Sequence, residues 1–191
     1  LVSGASYFYA IMQNTYCTLM PTLAADHVHR KYHDYAYGSP IEDDNELFGR
    51  LILEINQAGL SWLTILNKQD NFREAYAGYD INTIAHFTEE DRARLLSDAG
   101  IIRNTLKVNA AIHNANVILG LQVGFGSFKA WLDHNHPLTK DEWVKLFKKT
   151  FKFTGGEITN EFLMSSGYLP GAHDMGCPVY AKVVASQPKW I

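Results

Sequence analysis

Apolar residues recur roughly every three to four positions along most of the chain, the period of helices that bury one face. The spacing predicts a helix over "NELFGRLILEINQAG", entered from the acidic pair Asp43 and Asp44 and closed by Gly59. A second is expected to start at Ser61 and run through "SWLTILNKQDNFREAYAG", with Trp62, Ile65, Leu66, Phe72 and Tyr76 on its apolar side. Thr88 with Asp91, and Thr139 with Glu142, have the spacing of capping boxes, which predicts helices over "EEDRARLLSDAG" and "DEWVKLFKKTF". Further helices are expected over "TLKVNAAIHNANVILGL", over "FKAWLDHN" after Ser127, and over "EITNEFLMSSGYL". Pro and Gly punctuate the tail "LPGAHDMGCPVY". Strand-like alternation is weak everywhere, and neither internal repeats nor low-complexity linkers stand out. The expected class is all-α.

At 191 residues the chain suits one domain with a sizeable core. A net charge of −3 excludes recognition of nucleic acid by a global positive field but leaves room for a local basic face. No apolar run approaches the length of a membrane span, and the opening "LVSGASYFYAIMQNTY" lacks the basic and apolar regions of a signal peptide. The expectation is a cytoplasmic monomer with no membrane partner. Residues 1–16 are expected to be an N-terminal extension, either native or in part non-native with Met12 a candidate start, and residues 17–191 a single domain.

Two cysteines stand far apart, Cys17 and Cys177. With His33 sixteen residues after the first and His173 four before the second, they make a donor set that suits tetrahedral zinc. His27 and His29 are rival ligands. Free buried thiols, a long-range disulfide and ordinary surface histidines are the competing readings, and spacing alone leaves them open.

"LLSDAGIIRNTLKVNAAI" has the outline of two helices joined by a short hairpin. Such a turn aims backbone N–H groups and a helix N-terminus at a phosphate without needing a high net charge, and Arg103 and Lys107 flank it. A plain helical packing unit is the bland alternative. Lys140, Lys145, Lys148, Lys149 and Lys152 form either a phosphate rail or a solvated helix face.

Glu54 interrupts an apolar run. It shares a helical stripe with Leu47, Leu51 and Ala58, which turns it inward, while an i,i+4 ion pair with Arg50 would make it ordinary. Tyr32, Tyr35 and Tyr37 lie beside His33, and Trp62 follows Glu54 by eight residues. Aromatic faces stack on bases and a carboxylate accepts from a purine exocyclic amine, although any single aromatic is equally at home in a core. No Gly-x-Ser-x-Gly, phosphate-cradling Gly-rich loop or His-Glu-x-x-His is present.

Taken together, "YHDYAYG", "LILEINQAGLSWLTILNKQDNFREAYAGYD", "DAGIIRNTLKVNAAIHNA", "FKFTGG" and the closing His-x-x-x-Cys resemble the DNA-3-methyladenine glycosylase I family, in order and spacing from about Cys17 to Cys177. "QAGLSW" and "AGIIRN" are specific to that family. The resemblance implies an all-α helix-hairpin-helix glycosylase fold. It also implies a structural zinc on Cys17, His33, His173 and Cys177 that joins the N- and C-terminal segments. The implied activity is base-excision repair of double-stranded alkylated DNA: the enzyme flips out N3-methyladenine and releases 3-methyladenine by hydrolysis. The family's base pocket falls on Glu54, Tyr32, Tyr37, Trp62 and Asn160, with Glu54 the catalytic carboxylate, and the DNA-backbone contacts fall on Gly100, Arg103 and Lys107. The absence of a catalytic lysine implies a monofunctional enzyme without lyase action.

The chain departs from the pattern in places. Tyr37 stands where the family usually has Trp, and "GGEITNEFLMS" replaces a "GPT…YSFMQ" segment, so that Glu157, Asn160 and Glu161 take the places of Thr, Tyr and Ser. Thr105 stands where a basic residue is frequent, and the stretch from Cys17 to His33 is a few residues longer. The alternative is a zinc-stabilised helical module that binds damaged DNA without cutting it.

Overall fold

The structure is a computed structural model and describes residues 15–191. All but the last two residues of the expected extension 1–16 lie outside that range. Among the described residues there are helices and turns and no strand. The helices are α1 Tyr16–Leu19, α2 Val28–Tyr35, α3 Asp44–Gln57, α4 Trp62–Leu66, α5 Gln69–Ala75, α6 Ile81–Ala85, α7 Glu89–Ser97, α8 Thr105–Phe125, α9 Phe128–Asn135, α10 Lys140–Thr150, α11 Gly156–Ser165 and α12 Tyr180–Ala185. No helix is long and apolar enough to cross a membrane.

Side-chain chemistry sets the boundaries. Both expected capping boxes close, Thr88 with Asp91 on α7 and Thr139 with Glu142 on α10. Asp43, Ser127 and Asn104 cap α3, α9 and α8 by accepting from backbone N–H groups three residues on. The stretch from Ser61 is not one helix. It breaks at Asn67 and Lys68 into α4 and α5, where the Lys68 backbone leaves helical geometry and its ammonium donates to the carbonyls of Ala99 and Gly100. Helix α2 is polar in composition but one-sided, burying Tyr32 and His33, and the His27 side chain caps it by accepting from the His29 N–H.

Helix α3 is the axis of the molecule. Between Leu47 and Asn56 only Arg50 escapes full burial, because α11, α9, α8 and the short helices α4 to α6 surround it. An aromatic cluster of Phe128, Trp131, Trp143, Phe147, Phe151 and Phe162 fills the space between α9, α10 and α11. Asp44 joins the layers: its carboxylate accepts from the Phe128 and Lys129 N–H groups at the start of α9 and from Gln122. A second, small cluster of Cys17, Cys177, Val179 and Val183 packs the two ends of the described chain together.

Candidate base pocket and metal centre

The C-terminal half of α3, the start of α4, the end of α2 and one face of α11 enclose a cavity of about 410 Å³. Glu54, Trp62, Tyr32, Tyr37 and Glu161 line it. Trp62 meets Tyr32 edge-on with ring centres 5.2 Å apart, and Tyr37 lies 5.4 Å from Tyr32 at a tilt of 34°. Tyr16, which the sequence reading did not pick out, closes the far side with its ring 5.9 Å from that of Tyr37. His29, Gln57 and Asp174 are further wall residues that were not foreseen. His29 and Asp174 arrive from remote segments, so no local motif marks them, whereas Gln57 follows Glu54 by three residues on α3 and shares its helical face.

Glu54 is 3% exposed and points at this space. The bland ion pair with Arg50 does not form. The Arg50 guanidinium donates to the Tyr32 hydroxyl at 3.1 Å and to the Ser165 carbonyl at 3.3 Å, and lies over the Tyr32 ring. Burial pushes the Glu54 carboxyl up to about 8; the Arg50 charge opposes the shift and the Glu161 carboxylate adds to it. Burial likewise raises the Tyr32 and Tyr37 hydroxyls, so both stay protonated near neutrality. The pocket therefore offers a carboxyl that ionises on the alkaline side of neutrality between aromatic faces, with no lysine or arginine among the residues that line it.

Asn160 does not line the cavity. A step of one residue turns a helix by about 100°, and α11 presents Glu161 to the pocket while the Asn160 amide lies along the helix, 3.7 Å from Met164 Sδ. Glu157 is exposed at the outer rim, 3.8 Å from Lys140 Nζ.

The hairpin forms between α7 and α8. Arg103 is exposed on it, as are Thr105 and Leu106 at the start of α8, where the Asn104 side chain accepts from the Lys107 N–H. Gly100 packs so closely that a β-carbon would sit 2.9 Å from Asp98 Oδ1 and 3.2 Å from Asn71 Cβ. Its N–H is already donated to Asp98 at 2.7 Å, so its part is steric rather than a phosphate contact.

Lys107 requires a larger correction. It is 4% exposed, and its ammonium donates to the carbonyls of Asn56 at 2.8 Å and Ala58 at 2.7 Å. A buried ammonium is affordable there because the last carbonyls of α3 carry the negative end of the helix dipole. Lys107 thus ties the hairpin to the helix that carries Glu54 and does not reach DNA. Lys107→Met is expected to lower stability by about 2–3 kcal/mol, the usual worth of hydrogen bonds to a charged group. Arg103→Ala is expected to reduce the slope of log K against log salt for duplex DNA by about one, whereas Lys107→Met leaves that slope unchanged. Thermal melts and binding titrations at several salt concentrations check both.

Cys17, His33, His173 and Cys177 converge at one buried point, with their donor atoms all within 4.8 Å of one another. Cys17 Sγ lies 3.7 Å from His173 Nδ1, and Cys177 Sγ lies 3.5 Å from His33 Nε2 and 3.6 Å from His173 Nδ1. Bonds of about 2.0–2.3 Å to a tetrahedral ion separate its donors by roughly 3.3–3.8 Å, so these spacings match. The other ring nitrogens are also held: His33 Nδ1 against Asp34 Oδ1 at 2.7 Å and His173 Nε2 against the Tyr37 carbonyl at 2.8 Å. Both cysteines are free thiols, which removes the disulfide reading. Burial raises the Cys17 thiol to about 11, so a thiolate at this point needs a cation beside it. His27 is occupied as the α2 cap and His29 faces Tyr16, and neither joins the cluster.

Gly38, at φ +83°, makes this junction possible. A β-carbon there would lie 2.7 Å from Ala172 Cβ and 3.3 Å from His173 Cδ2. The close approach seats the Tyr37 carbonyl on the His173 imidazole, so the cluster and the pocket share a wall.

The sequence model of a family described as methyladenine glycosylase matches residues 22–144. A DNA-3-methyladenine glycosylase 1 of Escherichia coli K12 is 34% identical over 177 residues, covering 83% of this chain and 94% of that protein. A DNA-3-methyladenine glycosylase of Haemophilus influenzae is 33% identical over 180 residues, covering 84% and 97%. A solved structure of 3-methyladenine DNA glycosylase I from Staphylococcus aureus, described for its recognition of 3-methyladenine, superposes with a TM-score of 0.73 at 31% identity, covering 82% of this chain and 93% of that one.

Proposed function

Because the chain belongs to the methyladenine glycosylase family, we propose that it acts on alkylated duplex DNA as a base-excision repair glycosylase. It flips N3-methyladenine into the cavity and hydrolyses the N-glycosidic bond. The observation that carries this reading is a buried carboxyl facing an aromatic slot, with no amine in the lining.

A purine methylated at ring N3 within a nucleotide is formally cationic, so it is already a good leaving group. The protein has to select and hold it rather than protonate it strongly. The faces of Tyr32, Tyr37 and Trp62 favour a cationic ring. Glu54 accepts from the exocyclic amine, and its ionised form stabilises positive charge on the base and then on the sugar as the bond breaks. An intact neutral adenine gains neither attraction, and it costs more to pull from its stack. Without an amine nucleophile there is no Schiff base, and the product is an abasic site on an uncut strand. The α7–α8 hairpin, with Arg103 and the start of α8, is the phosphate-facing element.

Cys17, His33, His173 and Cys177 would hold one structural zinc. With two thiolates and two imidazoles as ligands, the site would leave no position for a reacting water. These residues would then tie the segment before α2 to the tail after α11, and the metal would supply no chemistry at the base. The reading is tested by treating methylated duplex with the protein: alkali-labile sites should accumulate while the strand stays intact before alkali. Strand breaks formed without alkali would overturn the monofunctional assignment, and an unchanged duplex would overturn the activity.

A further inference from the structure

Glu161 stands in the wall of the base cavity with Glu54, on a different helix. It is half-buried, and the Tyr37 hydroxyl donates to its Oε2 at 3.2 Å. Tyr37 and Glu161 are both departures from the motif that the rest of the pocket follows, and they are in contact. They therefore form one unit in which the aromatic wall is held by a carboxylate. With its hydroxyl committed to Glu161, Tyr37 has its ring, rather than its O–H, available to a ligand.

The charges around the cavity are lopsided. Three carboxylates border it, from Glu54, Glu161 and Asp174, and no lysine or arginine does. Asp174 accepts a hydrogen bond from the Thr15 hydroxyl at 2.7 Å. Arg50 lies behind Tyr32 with its guanidinium turned to Tyr32 and the Ser165 carbonyl. On the outer side of α11, Lys140 is paired with Glu157. His29 is held below its ordinary value by burial and is neutral near pH 7. Burial raises both carboxyls: Glu161 adds to the rise at Glu54, which Arg50 opposes from behind the wall, and Glu157 adds to the rise at Glu161, which Tyr37, Asn160 and Lys140 oppose, while no lysine or arginine lines the cavity itself.

We propose that Glu161 is a specificity-determining residue: with Glu54 it forms a two-carboxylate site that selects purines bearing a full positive charge over neutral purines of the same shape. The proposal rests on the cavity being the base pocket. A cation entering between the two carboxylates relieves their repulsion, and a neutral ring does not. The shape of the slot and its aromatic faces act on both kinds of ligand alike, so the charge-dependent part of recognition is what Glu161 adds.

Direct binding of free bases tests this without any need for excision. The probes are the 3,9-dimethyladeninium cation, which mimics the charged base of the nucleotide, and free 3-methyladenine at pH 8, which is neutral. Calorimetry or tryptophan fluorescence gives the affinities. Wild-type protein should prefer the cation. Glu161→Gln keeps an acceptor for Tyr37 and removes the charge. It should weaken the cation by about 10-fold, the scale of one charge-assisted contact, and leave the neutral base within about 2-fold. Glu161→Ser should weaken the cation similarly, and a melting curve on each variant reports whether it is folded. Equal weakening of both ligands, or none of either, by folded variants overturns the role of Glu161 alone. If wild-type protein binds neither probe, the base-pocket reading falls and this inference falls with it.

Discussion

Replacing Glu54 with alanine is expected to lower kcat/KM for base excision by about 10²–10³-fold, the scale at which a single pre-placed electrostatic group acts on a transition state. The fold should not suffer. The carboxyl of Glu54 rises from an ordinary 4.5 to about 8 because burial penalises its charged form. Between those values the folded protein binds more protons than the unfolded chain, so this group's stabilising contribution is complete below about 4.5 and is lost as pH rises through about 8. At pH 8 and above, the folded protein therefore carries the cost of a buried, poorly compensated charge. Glu54→Gln removes the titration and should raise stability at pH 8 on the order of 1–3 kcal/mol, while flattening the dependence of Tm on pH. The residue that is expensive to the fold is the one the chemistry needs. Because cation recognition uses the ionised form, kcat/KM of the wild type should rise with pH toward a midpoint near 8. If excision by either variant equals wild type, Glu54 has no pocket role.

Stripping the metal should be the largest stability change available. The four donors bring α1, α2 and the tail before α12 to one point, and few apolar contacts reinforce that junction beyond Cys17, Cys177, Val179 and Val183. Structural zinc contributes about 10–16 kcal/mol in domains that have no other core. Here a separate aromatic core persists, so the loss is expected on the order of 5 kcal/mol, or roughly 10–20 °C in Tm for a chain of this length. Cys177→Ser should fall by a similar amount and lose metal. Excision should decline along with it, because the Tyr37 carbonyl rests on the His173 ring and Tyr37 is a wall of the pocket. Metal analysis with a stoichiometry near zero, on protein whose melting temperature is indifferent to chelator, would contradict this.

Much of the fold could be read from the sequence because its helices carry explicit boundary chemistry. The capping boxes at Thr88 and Thr139 and the caps at Ser127 and the Asp43–Asp44 start fall where the pattern put them. Glu54 was legible because a stripe with Leu47 and Leu51 can face only inward on a helix surrounded on all sides. What stayed hidden depended on tertiary context. The polar α2 is held in place by Tyr32 and His33, which meet partners from distant segments, while its Tyr35 stays exposed. Lys107 looked like a phosphate contact because lysine is ordinarily a surface residue. Only the arrival of the α3 carbonyls at its position shows otherwise. The choice between Asn160 and Glu161 turns on one step of helical rotation. The sequence does not separate them: Glu161 shares a stripe with Ile158 and Ser165, Asn160 shares one with Leu163 and Met164, and all four of those neighbours are at least partly buried.

The central claim is that this cavity removes a methylated purine. It is tested most directly by incubating duplex DNA, treated with a radiolabelled methylating agent, with zinc-loaded protein and identifying the released label by chromatography. Free 3-methyladenine, lost when Glu54 is replaced by alanine, is the expected product. Label that stays wholly on the DNA at micromolar concentrations of folded, zinc-loaded protein would contradict it.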